Sequence, residues 1–393
     1  MTRRGAGPLL ARFLRARMSR SVSGVLLASL LAACSGAETP IATAAPASPA
    51  VVQPLPTPTA DPAIAAAQAL LAHRDAAWRA KDVEGAIALT ATDAPPAFRL
   101  RERALAEIAA AGVLLAPERR TFVSFDQAGG LRVVNVVERD SQGRSRRLRY
   151  FMTPRGPNGD AARLTEPALA SLGEEIVVPG ARFVTRARPI DAEQVATALG
   201  YAEEAVPALV SVLGEVYRPT VAVTLAFAPT TVPDLPPLAS AYTNGTVITF
   251  LSSQSSIVGG DESGPWSKTV VAHELAHVML FARGTGPFVL SEGLPLWLTD
   301  DRRQPELDRI VAANAFWTLD HLIAGPKDAT EFFAGYAQAS SFVRYLAATH
   351  GVAKVLAAWE AGRTAPFPEA FSTAFGMTAE AAYGAWRDTL RRR

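Results

Sequence analysis

Two histidines four residues apart, His273 and His277, with Glu274 beside the first, constrain this chain more than any other feature. On a helix the two imidazoles project from one face, where both can reach a single metal ion. Val270, Val271, Leu275, Val278 and Met279 surround them with apolar side chains, so the helix expected over 268–281 belongs inside a core. No lysine or arginine lies between Lys268 and Arg283. Two imidazoles in such surroundings need partners for their ring nitrogens, and one metal ion serves both. Core histidines bonded to carbonyls are the plainer alternative.

A catalytic zinc keeps three protein ligands and one open position. Glycine three residues and histidine six residues beyond His277 would mark a metzincin, but Leu280 and Arg283 stand there. A short loop, Gly284-Thr285-Gly286-Pro287, leads instead to Glu292, 15 residues after His277, at the start of an expected second helix. A Gly/Pro turn can fold that helix back on the first, which makes Glu292 the best third ligand. Asp300 and Asp301 are rival carboxylates about two turns further on and read as outer or surface groups. Pro295 suits a first helical turn but disturbs an interior, which bears on how Glu292 is held.

These residues carry a family resemblance. His273-Glu274-x-x-His277 followed by Ser291-Glu292-Gly293-x-x-x-Trp297-Leu298 resembles the gluzincins, the thermolysin-like and aminopeptidase-like zinc metallopeptidases. The stretch Gly335-Tyr336-Ala337-Gln338-Ala339-Ser340-Ser341-Phe342-Val343-Arg344-Tyr345-Leu346 resembles a helix of the bacterial peptidase MA-like branch. The resemblance spans about 183–393. It implies Zn²⁺ on His273, His277 and Glu292, Glu274 as general base, and Tyr336 over the developing oxyanion, with His321 as rival for that last role. The G-x-M-E-N segment with which aminopeptidases of this clan capture a free amine is replaced by Ala241-Tyr242-Thr243-Asn244-Gly245, which favours an endopeptidase. A peptide or protein substrate is expected to lie antiparallel to an exposed strand beside the site helix, and Thr246–Leu251 is the candidate. A non-catalytic peptide- or partner-binding lipoprotein on the same scaffold is the alternative.

The N-terminus bears on location. Six arginines (Arg3, Arg4, Arg12, Arg15, Arg17, Arg20) and no acids fall within the first 33 residues, and a short apolar run, Val22–Leu31, leads into Leu31-Ala32-Ala33-Cys34. That layout is a secretory signal, and its end resembles a lipobox, which implies cleavage before Cys34 and lipidation there; plain secretion with cleavage near Ala33 is the alternative. Cys34 is the sole cysteine, so no internal disulfide is available and the cores alone must hold the exported chain. Several acyl chains would hold it on a membrane, with Ser35 favouring the outer one. Without the leader the chain carries 33 basic and 37 acidic residues, a balance with no electrostatic footprint for nucleic acid.

Four segments follow: a signal peptide over 1–33, an Ala/Pro/Thr-rich linker over 34–62, an N-terminal domain over 63–182 and a peptidase domain over 183–393. The fold class is α+β. In the N-terminal domain, helices over 63–82 and 99–111 precede strands near 121–125, 131–138, 148–153 and 175–178, an order that resembles the cone-shaped nuclear transport factor 2-like fold. His73, Asp75 and Trp78 could line a pocket there or form an ordinary helix face. The second domain is mostly helical with a small sheet: a helix over 192–217 broken near Pro207, strands over 221–227 and 246–251 with a hairpin turn at Asn244-Gly245, and helices from Lys268 onward. Beyond the leader no apolar run reaches the roughly 18 residues of a membrane span.

Overall fold

The computed structural model describes residues 62–141, 145–154, 161–232, 235, 238–252, 268–284 and 286–392. The signal-peptide and Cys34 readings lie outside the described residues. The protein is α+β, with two sheets and a helical C-terminal half.

Three helices, α1 (Pro62–Arg79), α2 (Val83–Ile87) and α3 (Pro96–Ala110), precede an antiparallel meander of β1 (Arg119–Ala128), β2 (Leu131–Arg139), β3 (Ser145–Met152) and β4 (Leu164–Thr165) in that spatial order. Pro62 and Pro96 each open a helix, where a missing N–H leaves no bond unmade. Leu71, Phe98, Val134, Val136, Met152 and Leu164 form a core between helices and sheet. Charged groups are buried beside it. Glu138, 1% exposed, accepts from Arg120 (Nε, 2.8 Å) and Arg146 (Nε, 2.9 Å). Arg120 also grips Asp75 with two nitrogens at 2.8 and 2.9 Å, and Arg74 bridges Glu102 (2.9 Å) and the Tyr150 hydroxyl (2.8 Å). Three arginines thus face three carboxylates, which is how buried charge is tolerated. Burial alone would raise Glu138, but Arg146, Arg120 and Arg74 pull its carboxyl down to about 2. This corrects the pocket reading of α1: Asp75 is consumed by Arg120, Trp78 lies under the Arg74 guanidinium at 4.1 Å, and His73 is exposed.

The second sheet is mixed, ordered β5-β6-β7-β9-β8, from β5 (Ile176–Val178), β6 (Phe183–Ala187), β7 (Val223–Ala228), β8 (Ala241–Asn244) and β9 (Val247–Leu251). Two sequence expectations change here. Strand 175–178 was expected in the first domain, yet β5 pairs antiparallel with β6, Ile176 opposite Ala187. The hairpin arm β9 is not an exposed edge: it is sandwiched between β7, parallel, and β8, antiparallel, with Ile248 and Phe250 fully buried. The edge strand beside it is β8, and β5 forms the opposite edge.

Between β6 and β7 runs α4 (Ala192–Leu213), unbroken across Pro207. The bond lost at Pro207 frees the carbonyl of Glu203, and both residues are exposed, so water can replace the donor. Residues Gln194–Leu213 are long and apolar enough to cross a membrane by length and composition, which corrects the expectation that no apolar run beyond the leader reaches that length. Yet the segment carries Glu203 and Glu204, and its Ala198, Ala202, Val206 and Leu209 are buried in one cluster with Val271 and Leu275 of α5 (Lys268–Phe281).

The remaining helices are α6 (Phe288–Ser291), α7 (Gly293–Leu298), α8 (Gln304–Ala312), α9 (Leu319–Ala324), α10 (Phe332–His350), α11 (Val352–Ala361), α12 (Phe367–Phe375) and α13 (Ala379–Arg391). The two domains meet in a shared apolar cluster in which Trp78, Leu105, Ile108 and Leu114 pack with Leu238, before β8, and Phe333, on α10. Nearby, the Glu166 carboxylate accepts from the backbone and hydroxyl of Thr231 at 2.8 to 2.9 Å.

Candidate metal centre

Helix α5 is buried nearly all round: Val271, Ala272, Glu274, Leu275, Ala276, His277, Val278, Met279 and Leu280 are all inside. Its C-terminal end is fixed by Trp359 of α11, whose indole donates to the Leu280 carbonyl at 3.0 Å and whose ring stacks on Phe281. Phe281 in turn stacks on His277 at 5.2 Å. The helix therefore presents its two histidines from a fixed base.

Glu292 reaches them from the joint between α6 and α7. Its backbone is helical (φ −95°, ψ −37°), so 288–298 is nearly one helix. The interruption follows from Pro295, which has no N–H to give the Ser291 carbonyl. Gly293 lets this helix close on α10: a Cβ there would stand 2.6 Å from Val343 Cγ2 and 2.7 Å from the Ala339 carbonyl oxygen. The sequence motif is thus a packing requirement.

His273 Nε2 and His277 Nε2 are 3.1 Å apart, and Glu292 Oε2 lies 3.3 Å from the first and 3.5 Å from the second. Ligand atoms 2.0 to 2.1 Å from a tetrahedral zinc are separated by about 3.3 Å, so the triangle has the dimensions of one face of such a site. The donor set, two imidazole nitrogens and a carboxylate oxygen, is one that zinc accepts. Buried Glu292 Oε2 has no hydrogen-bond partner among the described residues, and an orphaned buried carboxylate oxygen calls for a cation. Burial alone would raise Glu292, but the neighbouring imidazoles hold its carboxyl well below the usual range. For His277, burial opposes protonation, yet Glu292 and Glu274 win and the imidazole is raised. The carboxylates make the pocket attractive to positive charge of any kind.

The residue beside the triangle is Glu274, buried, whose Oε2 accepts from the Thr243 hydroxyl of β8 at 2.7 Å. That contact ties the site helix to the edge strand. Tyr336 of α10 lines the same cleft, stacked on Phe332 at 4.2 Å with the Arg303 guanidinium 5.0 Å from its ring. Burial, and then Glu292, hold its phenol well above the ordinary value. His321 is elsewhere: its ring lies flat on Trp317 at 3.9 Å and its Nε2 sits 3.0 Å from Glu331. The rival carboxylates are also spoken for, Asp300 by Arg302 and Arg344 at 3.0 Å each and Asp301 by Arg303 at 3.3 Å. Among the described residues His273, His277 and Glu292 form the metal-ready cluster. Thr243 and Arg303 are not legible as site residues in the sequence, because a hairpin threonine and an arginine in a polar loop carry no local signal.

The cleft has about 250 Å³ of room and is lined by residues 238–243 and by Phe332, Phe333 and Tyr336.

No protein-family model matches this chain, and no curated protein matches it. Solved structures do. A point mutant of an M1 zinc metallopeptidase from Deinococcus radiodurans is 13% identical, with a TM-score of 0.35 over 69% of this chain and 62% of that one. The unmutated enzyme is 15% identical, with a TM-score of 0.34 over 70% and 61% of the two chains. A two-domain M1 zinc metallopeptidase mutant bound to L-tryptophan is 16% identical, with a TM-score of 0.36 over 69% and 61%. The chain spans about three fifths of the length of these structures.

Proposed function

We propose that this protein is a zinc-dependent peptidase that works outside the cytoplasm, anchored to a membrane by lipid on Cys34, and that it cleaves internal peptide bonds. The observation that carries the reading is the triangle of His273 Nε2, His277 Nε2 and Glu292 Oε2, 3.1 to 3.5 Å on a side, with a buried non-ligand carboxylate, Glu274, beside it.

A zinc ion held by His273, His277 and Glu292 supplies Lewis acidity toward a carbonyl and an acidified water. Glu274 is not needed as a ligand, so its carboxylate is free to take a proton from the attacking water and return it to the leaving amine. Thr243 occupies Oε2 and thereby orients Oε1 for that transfer. Tyr336 keeps its proton at neutral pH, because burial and the carboxylates raise it, and so can donate to the developing oxyanion. The outer edge of β8, unpaired among the described residues, offers backbone groups to a substrate strand, which would place the scissile bond between Glu274 and Tyr336. The N-terminal domain, through Leu238, supports the start of that edge.

The test is metal content and peptide hydrolysis of the full chain beside Glu274→Gln and Glu292→Ala. One zinc per chain in wild type and Glu274→Gln, loss of zinc in Glu292→Ala, and at least a 10²-fold loss of hydrolysis in Glu274→Gln are expected. Undiminished hydrolysis by Glu274→Gln would refute the mechanism. Zinc with no hydrolysis by wild type would leave a peptide-binding lipoprotein.

A further inference from the structure

The acidic groups of the cleft have assigned partners or roles, and the one basic group among its described lining residues is engaged only at its Nε, by Asp301. Arg303 lines the cleft with Tyr336, Phe333 and Glu292, and is the one lysine or arginine among the described lining residues. Its side chain makes no hydrogen bond to any described residue; Nε is buried without one and lies 3.3 Å from Asp301 Oδ2. Asp301 is nearest to Nε, and neither terminal nitrogen donates a hydrogen bond to a described residue. The guanidinium carbon lies over two aromatic rings, 5.0 Å from the centre of Tyr336 and 5.9 Å from that of Phe333.

The backbone also holds it in place. Asp300 and Arg303 both adopt left-handed conformations, φ 57° and 46°, which cost a non-glycine residue about 1 kcal/mol each and persist only where the surroundings impose them. The loop between them is pinned: Asp301 N–H donates to the Leu296 carbonyl at 2.9 Å, and the Asp301 carbonyl accepts from buried Ser340 at 2.6 Å. A plain surface loop needs none of this. A rigid, aromatic-backed guanidinium with its fork unpaired is the arrangement that recognises a carboxylate with two parallel hydrogen bonds.

Building on the peptidase reading, we propose that Arg303 is a specificity-determining residue that binds a carboxylate of the substrate, carried close to the bond positioned at Tyr336. Two sources share that chemistry: the C-terminal carboxylate of a short peptide and an acidic side chain.

The test reads binding, so that it does not depend on turnover. The zinc-loaded full chain carrying Glu274→Gln is titrated with fluorescent pentapeptides in matched sets: free C-terminus against amide, and Glu against Gln at each position. One carboxylate is expected to tighten binding roughly 30-fold over its amide, and Arg303→Met added to Glu274→Gln to abolish that difference while changing amide binding less than about threefold. Arg303→Lys keeps charge without the fork and should recover only part of the preference. The set that shows the preference identifies the source. Equal binding of carboxylate and amide peptides, equal weakening of both by Arg303→Met, or no binding of any peptide would overturn the proposal. Failure of the peptidase reading is separate: it appears as absent hydrolysis by wild type.

Discussion

Replacing Gly293 with alanine tests whether the metal centre is set by helix packing. The added Cβ would stand 2.6 Å from Val343 Cγ2, 2.7 Å from the Ala339 carbonyl oxygen and 3.1 Å from its carbon. Non-bonded carbons rest at about 3.5 to 4.0 Å, so α7 must retreat from α10 by roughly 0.8 Å. Val343 can turn aside, but the Ala339 carbonyl belongs to the backbone of a buried helix. Glu292 is the adjacent residue and moves with α7, whereas metal sites tolerate about 0.2 Å. Zinc affinity should fall about 10- to 100-fold. Without metal, overpacking costs about 1 to 3 kcal/mol, offset by about 1 kcal/mol of improved helix propensity, so the apo chain should be no more stable than wild type. Chelator competition reads the affinity, and urea denaturation of the metal-free chain reads the stability. Gly384→Ala in α13 is the control: that glycine is exposed, nothing lies within 4 Å of its added Cβ, and the change should stabilise by about 0.5 to 1 kcal/mol. A Gly293→Ala chain that gains stability like the control, with unaltered zinc affinity, would refute the reasoning.

Two further outcomes follow from the geometry. Tyr336→Phe should lower kcat by about 10²-fold with zinc content unchanged, as expected for loss of one oxyanion donor; a rise in KM at constant kcat would make Tyr336 a substrate contact instead. Glu138→Gln should destabilise by about 3 to 5 kcal/mol in urea, because Arg120 and Arg146 lose a buried counter-charge. Folding lowers the Glu138 carboxyl from 4.5 to about 2, so its contribution is complete above about pH 4.5 and is lost as pH falls toward 2. Asp75, raised by burial, acts in the opposite sense. The variant should therefore unfold with a weaker pH dependence in acid, and parallel acid curves would count against the charge argument.

The cluster of His273, His277 and Glu292 was legible because its information is local. A four-residue spacing on a helix and a glutamate after a Gly/Pro turn need no knowledge of the rest of the chain. The meander after the first helices and the helices from Lys268 onward were legible for the same reason, through periodicity and turn residues. What escaped was pairing. Residues 176–178 read as a strand, but only contact with β6 decides which sheet owns them. Asn244-Gly245 announced a hairpin, yet which arm is interior depends on the parallel partner β7, far back in sequence. Pro207 reads as a break because local rules cannot see that the freed carbonyl faces solvent. The buried charges of the N-terminal domain escaped too. Arg74, Asp75, Arg120 and Arg146 look like solvated surface one at a time and become core only as a matched set.

Leu238 and Phe333 wall the cleft while packing on Trp78, Leu105 and Ile108 of the N-terminal domain. Neither half of the protein owns its working surface alone. Such a module cannot be trimmed away, or exchanged for an unrelated one, without reshaping the cleft. A change of residue at Leu105, which lies outside the cleft, bears on it through Leu238 and Phe333.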